Sequence, residues 1–140
     1  MEKKIHLKII TPSGIYFTGD VDFLRVHAEH GVLGILPNHQ PLISTVTISE
    51  MKIVMNGQKF YYAVGGGILD VKKDLTILLL NSVERVDEID IGRAILAKER
   101  AEARLKEAQH DDQIDVVRAQ ASLLKALNRI KIGNYKIDNK

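Results

Sequence analysis

Six charged residues lie close together at the point where the hydrophobic pattern of the chain changes. They are Asp87, Glu88, Asp90, Arg93, Arg100 and Arg104. The arginines are seven and four residues apart, so a helix would place them on one face, where they could bind an anion. The acids suit a helix start, because Asp87 can serve as the N-cap and the helix dipole favours negative charge in the first turn. Two interpretations stay open: a capped helix start, or one wall of an anion site.

The segments on either side of these charges have different hydrophobic periods. Up to residue 82 apolar and polar residues alternate, as in strands, and after residue 90 apolar residues recur every three or four positions, as in helices. Many short strand patterns without a helix between them predict an antiparallel β-sandwich or barrel of about eighty residues. Separate strands are expected at residues 42–46, 48–54, 59–64 and 68–72. Asn56-Gly57 predicts a hairpin turn, and residues 77–80 should be buried on both faces.

The helical part predicts two helices that pair as an antiparallel hairpin. The first begins at Asp87 and has an apolar stripe rich in alanine, so its partner can come close. Residues 110–112 break the pattern, Asp112 is expected to cap the second helix, and Gly133 is expected to end it. The second helix has two apolar stripes. One suffices for pairing, and the other should meet the sandwich or a partner.

The second helix also has a basic face. Arg118, Lys125 and Arg129 lie within about 40° of one another at 100° per residue. Asp115 is the only acid between residues 113 and 132. Exposed cations on a helix commonly serve solubility, so this face is open to that interpretation as well as to binding.

The composition excludes several classes of function. The chain has 140 residues, no cysteine and a net charge of +2, with nine basic and eight acidic residues in 1–86 and eleven and ten in 87–140. Neither half is a basic platform for nucleic acid. The five histidines have no metal-ligand spacing, and no P-loop, serine-hydrolase motif or nucleophile–base pair occurs, so we expect no metal site and no catalytic residue. No apolar run approaches ~20 residues and the start has no signal-peptide pattern, so we expect a cytoplasmic chain without membrane insertion.

Two glycine-containing segments resemble a known family. Residues 31–42 read GVLGILPNHQPL and resemble the signature loop of the epsilon subunit of rotary F-type ATP synthases. Residues 66–71 read GGILDV and resemble a second segment of the same family. The chain length and the order of strands before a helical hairpin agree, so the resemblance extends over essentially the whole chain.

The resemblance implies a fold, a location and a set of partners. It implies an α+β fold: a sandwich of about ten strands in residues 1–86, followed by a two-helix regulatory hairpin in residues 87–140. The sandwich would bind the gamma subunit and the c-ring and turn with them, on the cytoplasmic face of the cell membrane, without catalytic residues of its own. The hairpin would act as a brake on ATP hydrolysis when it extends into the head formed by the alpha and beta subunits.

Partner-binding residues are expected in both parts. In the signature loop they are Gly31, Val32, His39, Pro41 and Leu42. The other interpretation of this loop is that its apolar residues cap the sandwich core. On the inhibitory helix the expected residues are Arg118, Lys125, Arg129 and Lys131, whose positive charge suits an acidic surface.

A further motif implies regulatory ATP. Residues 89–94 read IDIGRA, which matches the Ile/Leu-Asp-x-x-Arg-Ala motif of family members whose folded hairpin binds ATP. The resemblance implies a nucleotide site made of Glu84, Ile89, Asp90, Arg93, Ala94, Arg100, Lys125 and Arg129. Arg100 and Arg129 would meet the phosphates. Lys125 replaces an arginine of the ATP-binding members, which keeps the charge but lacks the planar fork. The alternative is a structural hairpin that binds no nucleotide.

Overall fold

The computed structural model describes residues 3–138, and the side-chain environments of residues 3–134. The chain divides into two compact units, Met1–Arg85 and Val86–Lys140. The first unit consists of strands and the second of helices. Among the described residues, none of the helices combines the length and the apolar character needed to cross a bilayer.

Eight strands form the described part of the first unit. They are β1 (Ile5–Thr11), β2 (Gly14–Val21), β3 (Phe23–Ala28), β4 (Gly31–Ile35), β5 (Leu42–Met55), β6 (Gln58–Val71), β7 (Thr76–Leu80) and β8 (Val83–Arg85). All pairings are antiparallel except that of β1 with β7, which is parallel. The predicted β-sandwich is confirmed.

Two long strands build both layers of the sandwich. Each of β5 and β6 has fourteen residues, and their pairing is interrupted at Thr47 and Gly66. Before the interruption β5 pairs with the end of β6, followed by β7, β1 and β2. After it, β5 pairs with the start of β6 and with β3, which leads to β4, while β8 pairs with β6 on the other side. Counting each long strand as two gives ten strands, five in each layer. The sequence predicted four separate strands in this region, whereas the structure joins them in pairs into β5 and β6.

Glycines fix the turn and the close approach of these strands. Asn56 and Gly57 both have positive φ, 53° and 78°, which confirms the predicted hairpin turn between β5 and β6. A Cβ at Gly67 would overlap the backbone carbonyl of Leu79 on the neighbouring strand. Gly67 therefore allows β6 and β7 to approach where a side chain would not fit.

Large aliphatic side chains fill the sandwich. Leu7, Ile9, Leu24, Ile53 and Leu78 are all at most 1% exposed. The expectation that residues 77–80 are buried on both faces is wrong. Only Leu78 and Leu80 enter the core, while Leu79 is 45% exposed, because alternate residues of a strand point to opposite faces.

Over residues 86–138 the second unit contains two helices, α1 (Ile91–Glu107) and α2 (Val116–Asp138), preceded by a single 3₁₀ turn at Val86–Glu88. Asp87 is not the N-cap of α1. Asp90 takes that position, with an extended backbone and a carboxylate that accepts the backbone N–H of Arg93 at 3.0 Å. The acids that precede Asp90 lie in or beside the 3₁₀ turn, which delays the start of the helix.

The ends of α2 also differ from the prediction. Asp115, not Asp112, accepts the backbone N–H of Arg118 at 3.0 Å, so α2 starts at Val116 and the break between helices is longer than three residues. The helix continues past Gly133 to Asp138. Gly133 lies inside the helix, where a Cβ would crowd the side chains of Ile89 and Ile91. It serves close packing and not termination.

Small side chains form the contact between the helices. Ala94, Ala101, Ala119 and Ala126 are at most 4% exposed, and Ile132 and Gly133 are buried at the end of α2. Contact of Gly133 with Ile91 places the end of α2 beside the start of α1, so the hairpin is antiparallel. The predicted stripe of α1 is confirmed for Ala94 and Ala101, but its member Ile95 is 42% exposed. The two predicted apolar stripes of α2 are not its buried face. Val117 and Leu124 of one stripe are 75% and 56% exposed, and Val116 and Leu127 of the other are 41% and 42% exposed.

Candidate functional site

Three arginines line one groove of the hairpin. Arg100 and Arg104 come from α1 and Arg118 from α2, and all three are exposed. The groove has a volume of about 740 Å³, and Ala101, Ala119 and Ser122 also line it. We call it the arginine groove.

The register of the two helices explains this convergence. On α1 the buried residues are Ala94 and Ala101, and at 100° per residue Arg100 and Arg104 lie about a quarter-turn to one side of them. On α2 the buried residue is Ala119, and Arg118 lies about a quarter-turn to the same side. In an antiparallel pair these sides meet at one groove. Helix formation alone would place the arginines on two separate faces, so the packing of the alanines brings them together.

The two carboxylates that line the groove accept hydrogen bonds from backbone N–H groups. Asp111 accepts the backbone N–H of Gln113 at 2.9 Å, and Asp115 caps α2. Within residues 3–134, no ion pair involves Arg100, Arg104 or Arg118. The guanidinium groups therefore present charge to the groove, and a guanidinium fork binds phosphate or carboxylate oxygens well.

Three members of the predicted nucleotide site serve the backbone and the packing of the hairpin. Asp90 is the N-cap of α1, and Ala94 is completely buried. Ile89 is half-buried and lies near Gly133 of α2. Glu84 lies on β8, opposite Ala63 in the first unit.

The other four members are cations on one side of the hairpin. Arg93 and Arg100 lie on the groove side of α1, and half-buried Lys125 and Arg129 lie on the matching side of α2. With Arg104 and Arg118 they form a row of six cations. The row ends at the helix break with Arg104 and Arg118, and at the other end with Arg93 and Arg129, near Ile91 and Gly133.

The nucleotide site implied by the family motif did not include Arg104 or Arg118. Residue spacing places Arg104 on the face of Arg93 and Arg100, and Arg118 on the face of Lys125 and Arg129. The spacing of four between Arg100 and Arg104 was the available signal for the first. Arg118 was assigned to the inhibitory helix, where Lys131 is also exposed. The sequence could not show that Arg118 faces Arg104, because that depends on the register of the hairpin.

The signature loop divides between core and surface. Ile35 at the end of β4 is 1% exposed and belongs to the core, whereas Val32 and Leu36 are 56% and 60% exposed. Gly31 and Pro41 are exposed, Leu42 is half-buried, and the Nδ1 atom of His39 donates to the carbonyl of Gln40 at 2.7 Å. The loop therefore contributes to both core and surface. Ile35 is buried in the core and Leu33 and Leu42 pack against it, whereas Val32 and Leu36 remain at the surface.

An apolar row crosses the outer face of one sandwich layer. Ile15 pairs with Ile10, Ile10 with Leu79, and Leu79 with Ile68. Directly paired residues share a face, and Ile15, Leu79 and Ile68 are at least 45% exposed. Ile43, 73% exposed, lies on the same face two residues before Thr45, which pairs with Ile68. A contiguous exposed apolar patch of this kind is typical of a protein–protein interface.

Comparison with known families agrees with both units. The model of the β-sandwich domain of the ATP synthase delta/epsilon chain matches residues 4–86, and that of the long α-helix domain of the same chain matches residues 87–133. The chain belongs to the family of ATP synthase delta/epsilon chains, whose members are non-catalytic subunits.

Individual relatives point to one member of that family. The ATP synthase epsilon chain of Desulforamulus reducens is 40% identical over 131 residues, which cover 94% of this chain and 98% of the relative. The epsilon chain of Bacillus licheniformis is 37% identical over the same shares. A chain of the Euglena gracilis mitochondrial ATP synthase has the same fold, with a TM-score of 0.74 and 17% identity, covering 91% of this chain and 80% of that one.

Proposed function

We propose that this chain is a rotor subunit of the central stalk whose helical hairpin inhibits ATP hydrolysis, and that ATP binding holds the hairpin folded and inactive. The subunit would bind the gamma subunit and the c-ring at the cytoplasmic face of the cell membrane. A structure of the Tetrahymena thermophila central stalk and c-ring contains a chain of similar fold, with a TM-score of 0.56, 11% identity, and 97% and 98% of the two chains covered.

The apolar row and the signature loop support the rotor interface. A stalk subunit that turns with its neighbours needs a permanent contact, and permanent interfaces bury more apolar surface than transient ones. Ile43, Ile68 and Leu79 supply such a surface for the gamma subunit, and Val32 and His39 supply a second contact, for the c-ring.

The interface can be tested with Val32→Glu and His39→Glu in one variant. Neither side chain is buried, so the isolated subunit should keep its melting temperature. In the reconstituted synthase the added charges should weaken assembly and the coupling of ion transport to catalysis. Gln58→Glu, at the exposed start of β6 next to the hairpin turn, is the control. Full assembly and coupling of the double variant would refute the role of the loop.

The arginine groove is the observation that carries the ATP proposal. Arg100, Arg104 and Arg118 meet only when α1 and α2 lie side by side, so a triphosphate gains charge-assisted contacts in the folded hairpin that the extended form cannot offer. A ligand present at one hundred times its Kd stabilises the binding state by ~2.7 kcal/mol. Falling ATP would remove this stabilisation and release α2 towards the alpha and beta subunits.

Calorimetric titration of ATP into the purified subunit tests the site. Arg100→Ala or Arg129→Ala should weaken binding about tenfold or more, since each removes contacts between charged groups. Lys125→Arg should tighten binding because it restores the planar fork. Lys106→Ala, on the exposed far side of α1, is the control and should change little. If the wild-type subunit releases or absorbs no binding heat at millimolar ATP, the ATP proposal is refuted and the hairpin is structural only.

The brake is tested separately in the assembled complex. Deletion of residues 88–140 removes both helices and leaves the strands, so the synthase should stay coupled and hydrolyse ATP several-fold faster at low ATP. Equal rates for the truncated and intact complexes would refute inhibition by the hairpin, whatever the calorimetry shows.

A further inference from the structure

A second cationic cavity lies in the sandwich unit. The start of β1, the ends of β2, β4 and β6, and the turn between β6 and β7 form its walls. Its volume is about 510 Å³. We call it the lysine basin.

The basin concentrates positive charge from a nearly neutral unit. Residues 1–85 contain seven lysines and eight acids. Four of these lysines line the basin, namely Lys3, Lys4, Lys72 and Lys73, against two of the acids, Asp20 and Asp74. Two further acids, Asp22 and Asp70, lie beside Lys4 and Lys72, so the charge that remains for a ligand is that of Lys3 and Lys73.

Two of the four lysines are available for a ligand. Lys4 forms an ion pair with Asp22, and the Nζ atom of Lys72 lies 3.9 Å from a carboxylate oxygen of Asp70. Lys3 and Lys73 have no ion-pair partner among the described residues, and both are exposed. They come from segments 70 residues apart in sequence, which the parallel pairing of β1 with β7 brings to the same end of the sheet.

The floor of the basin strengthens an electrostatic contact at its rim. Ile5, Ile35 and Val71 are at most 5% exposed, and Thr76 is 4% exposed. An apolar floor lowers the local dielectric constant, so the attraction between a lysine and an anion is less screened than on an open surface. Lysine ammonium groups bind phosphate as point charges, without the fixed geometry that arginine requires.

We propose that the lysine basin binds a phosphate group, held mainly by Lys3 and Lys73. The phosphate could belong to a free anion or to the headgroup of an acidic phospholipid, because both present the same oxygens. This site is independent of the arginine groove, since the two lie in different units of the chain.

The test uses the full-length subunit with two probes. Inorganic phosphate tests the free anion, and phosphatidylcholine vesicles containing phosphatidylglycerol test the headgroup. Amide NMR signals of Leu75 and Thr76 report on the basin, and those of Arg100 and Arg104 report on the groove, so failure at one site does not affect the reading of the other. Vesicle binding is measured by co-sedimentation.

Matched lysine variants show whether binding is specific. Lys3→Gln with Lys73→Gln should weaken binding of the active probe about tenfold. Lys52→Gln with Lys59→Gln removes the same charge towards the other end of the long strands and should have little effect. Asp74→Asn removes an acid from the basin and should strengthen binding.

Each outcome supports or overturns the proposal. Shifts with phosphate identify a free anion, and binding only to vesicles with phosphatidylglycerol identifies a headgroup. Equal weakening by both lysine pairs, or no basin response to either probe, would overturn the proposal.

Discussion

The two units of this chain bury very different side chains. The sandwich encloses leucine, isoleucine, methionine and valine, whereas the hairpin encloses mainly alanine. A fully buried large aliphatic side chain contributes ~1.5–3 kcal/mol, and a methyl group contributes ~0.8 kcal/mol. Four alanines therefore contribute about 3 kcal/mol to the helix contact, comparable to the ~2.7 kcal/mol available from a bound ligand. The sandwich suits a permanent structural role, and the hairpin suits a contact that a ligand can switch.

The largest expected effect tests the rigidity of the sandwich. Gly67→Ala would drive a Cβ into the backbone of Leu79, which cannot move without breaking the pairing of β6 with β7. We expect a loss of at least about 3 kcal/mol in the free energy of unfolding, measured with urea. Gly14→Ala is the control, because Gly14 has φ +122° but open space around it, and so tests the backbone cost alone. Similar losses for both variants would show that the clash does not decide stability.

A smaller effect tests the alanine contact of the hairpin. Ala101→Leu should push α1 away from α2 and destabilise the hairpin by about 2 kcal/mol, because the site has no room for the larger side chain. Ala103→Leu is the matched control on the exposed side of α1. A fluorescence distance measured between labels on the two helices should increase only in the first variant. If both variants keep the wild-type distance, the separation of the helices does not depend on a small side chain at Ala101.

Loss of the N-cap of α1 should destabilise the helix by about 1 kcal/mol. Asp90→Ala removes the side chain that accepts the Arg93 N–H, and loss of an N-cap typically costs that much. Helix content from circular dichroism should fall slightly, and amide exchange should rise in the first turn of α1. Asp112→Ala, which changes an acid that caps neither helix in the described structure, should leave both unchanged.

The smallest effect is a pH dependence of the sandwich. The hydrogen bond from Lys4 lowers the pKa of Asp22 below its ordinary value of 3.8, and the Gly57 N–H adds to this. A folded pKa below the unfolded one means that the stabilisation is present above about pH 4 and is lost as pH falls through the folded pKa. Asp22→Asn should therefore lower the melting temperature slightly at pH 7 and much less at pH 2. The same decrease at both pH values would exclude the ionised carboxylate as the cause.

Local patterns of the sequence predicted the elements well. Alternation located the strands, Asn56-Gly57 identified the hairpin turn, and residues 31–42 identified the family, because each of these signals depends on neighbouring residues. The ends of the helices were harder to predict from the sequence. Several acids near residue 90 could each act as a cap, and the residue chosen depends on where α1 meets α2.

Tertiary structure decided the candidate sites. The arginine groove exists because buried alanines on both helices set the register that brings Arg118 beside Arg104. The lysine basin exists because parallel pairing of β1 with β7 brings Lys3 and Lys73 to one end of the sheet. Sequence alone fixes which side chains carry charge and the local period of each segment. Packing between distant segments determines which of those charges meet, since no local pattern encodes a contact across 70 residues.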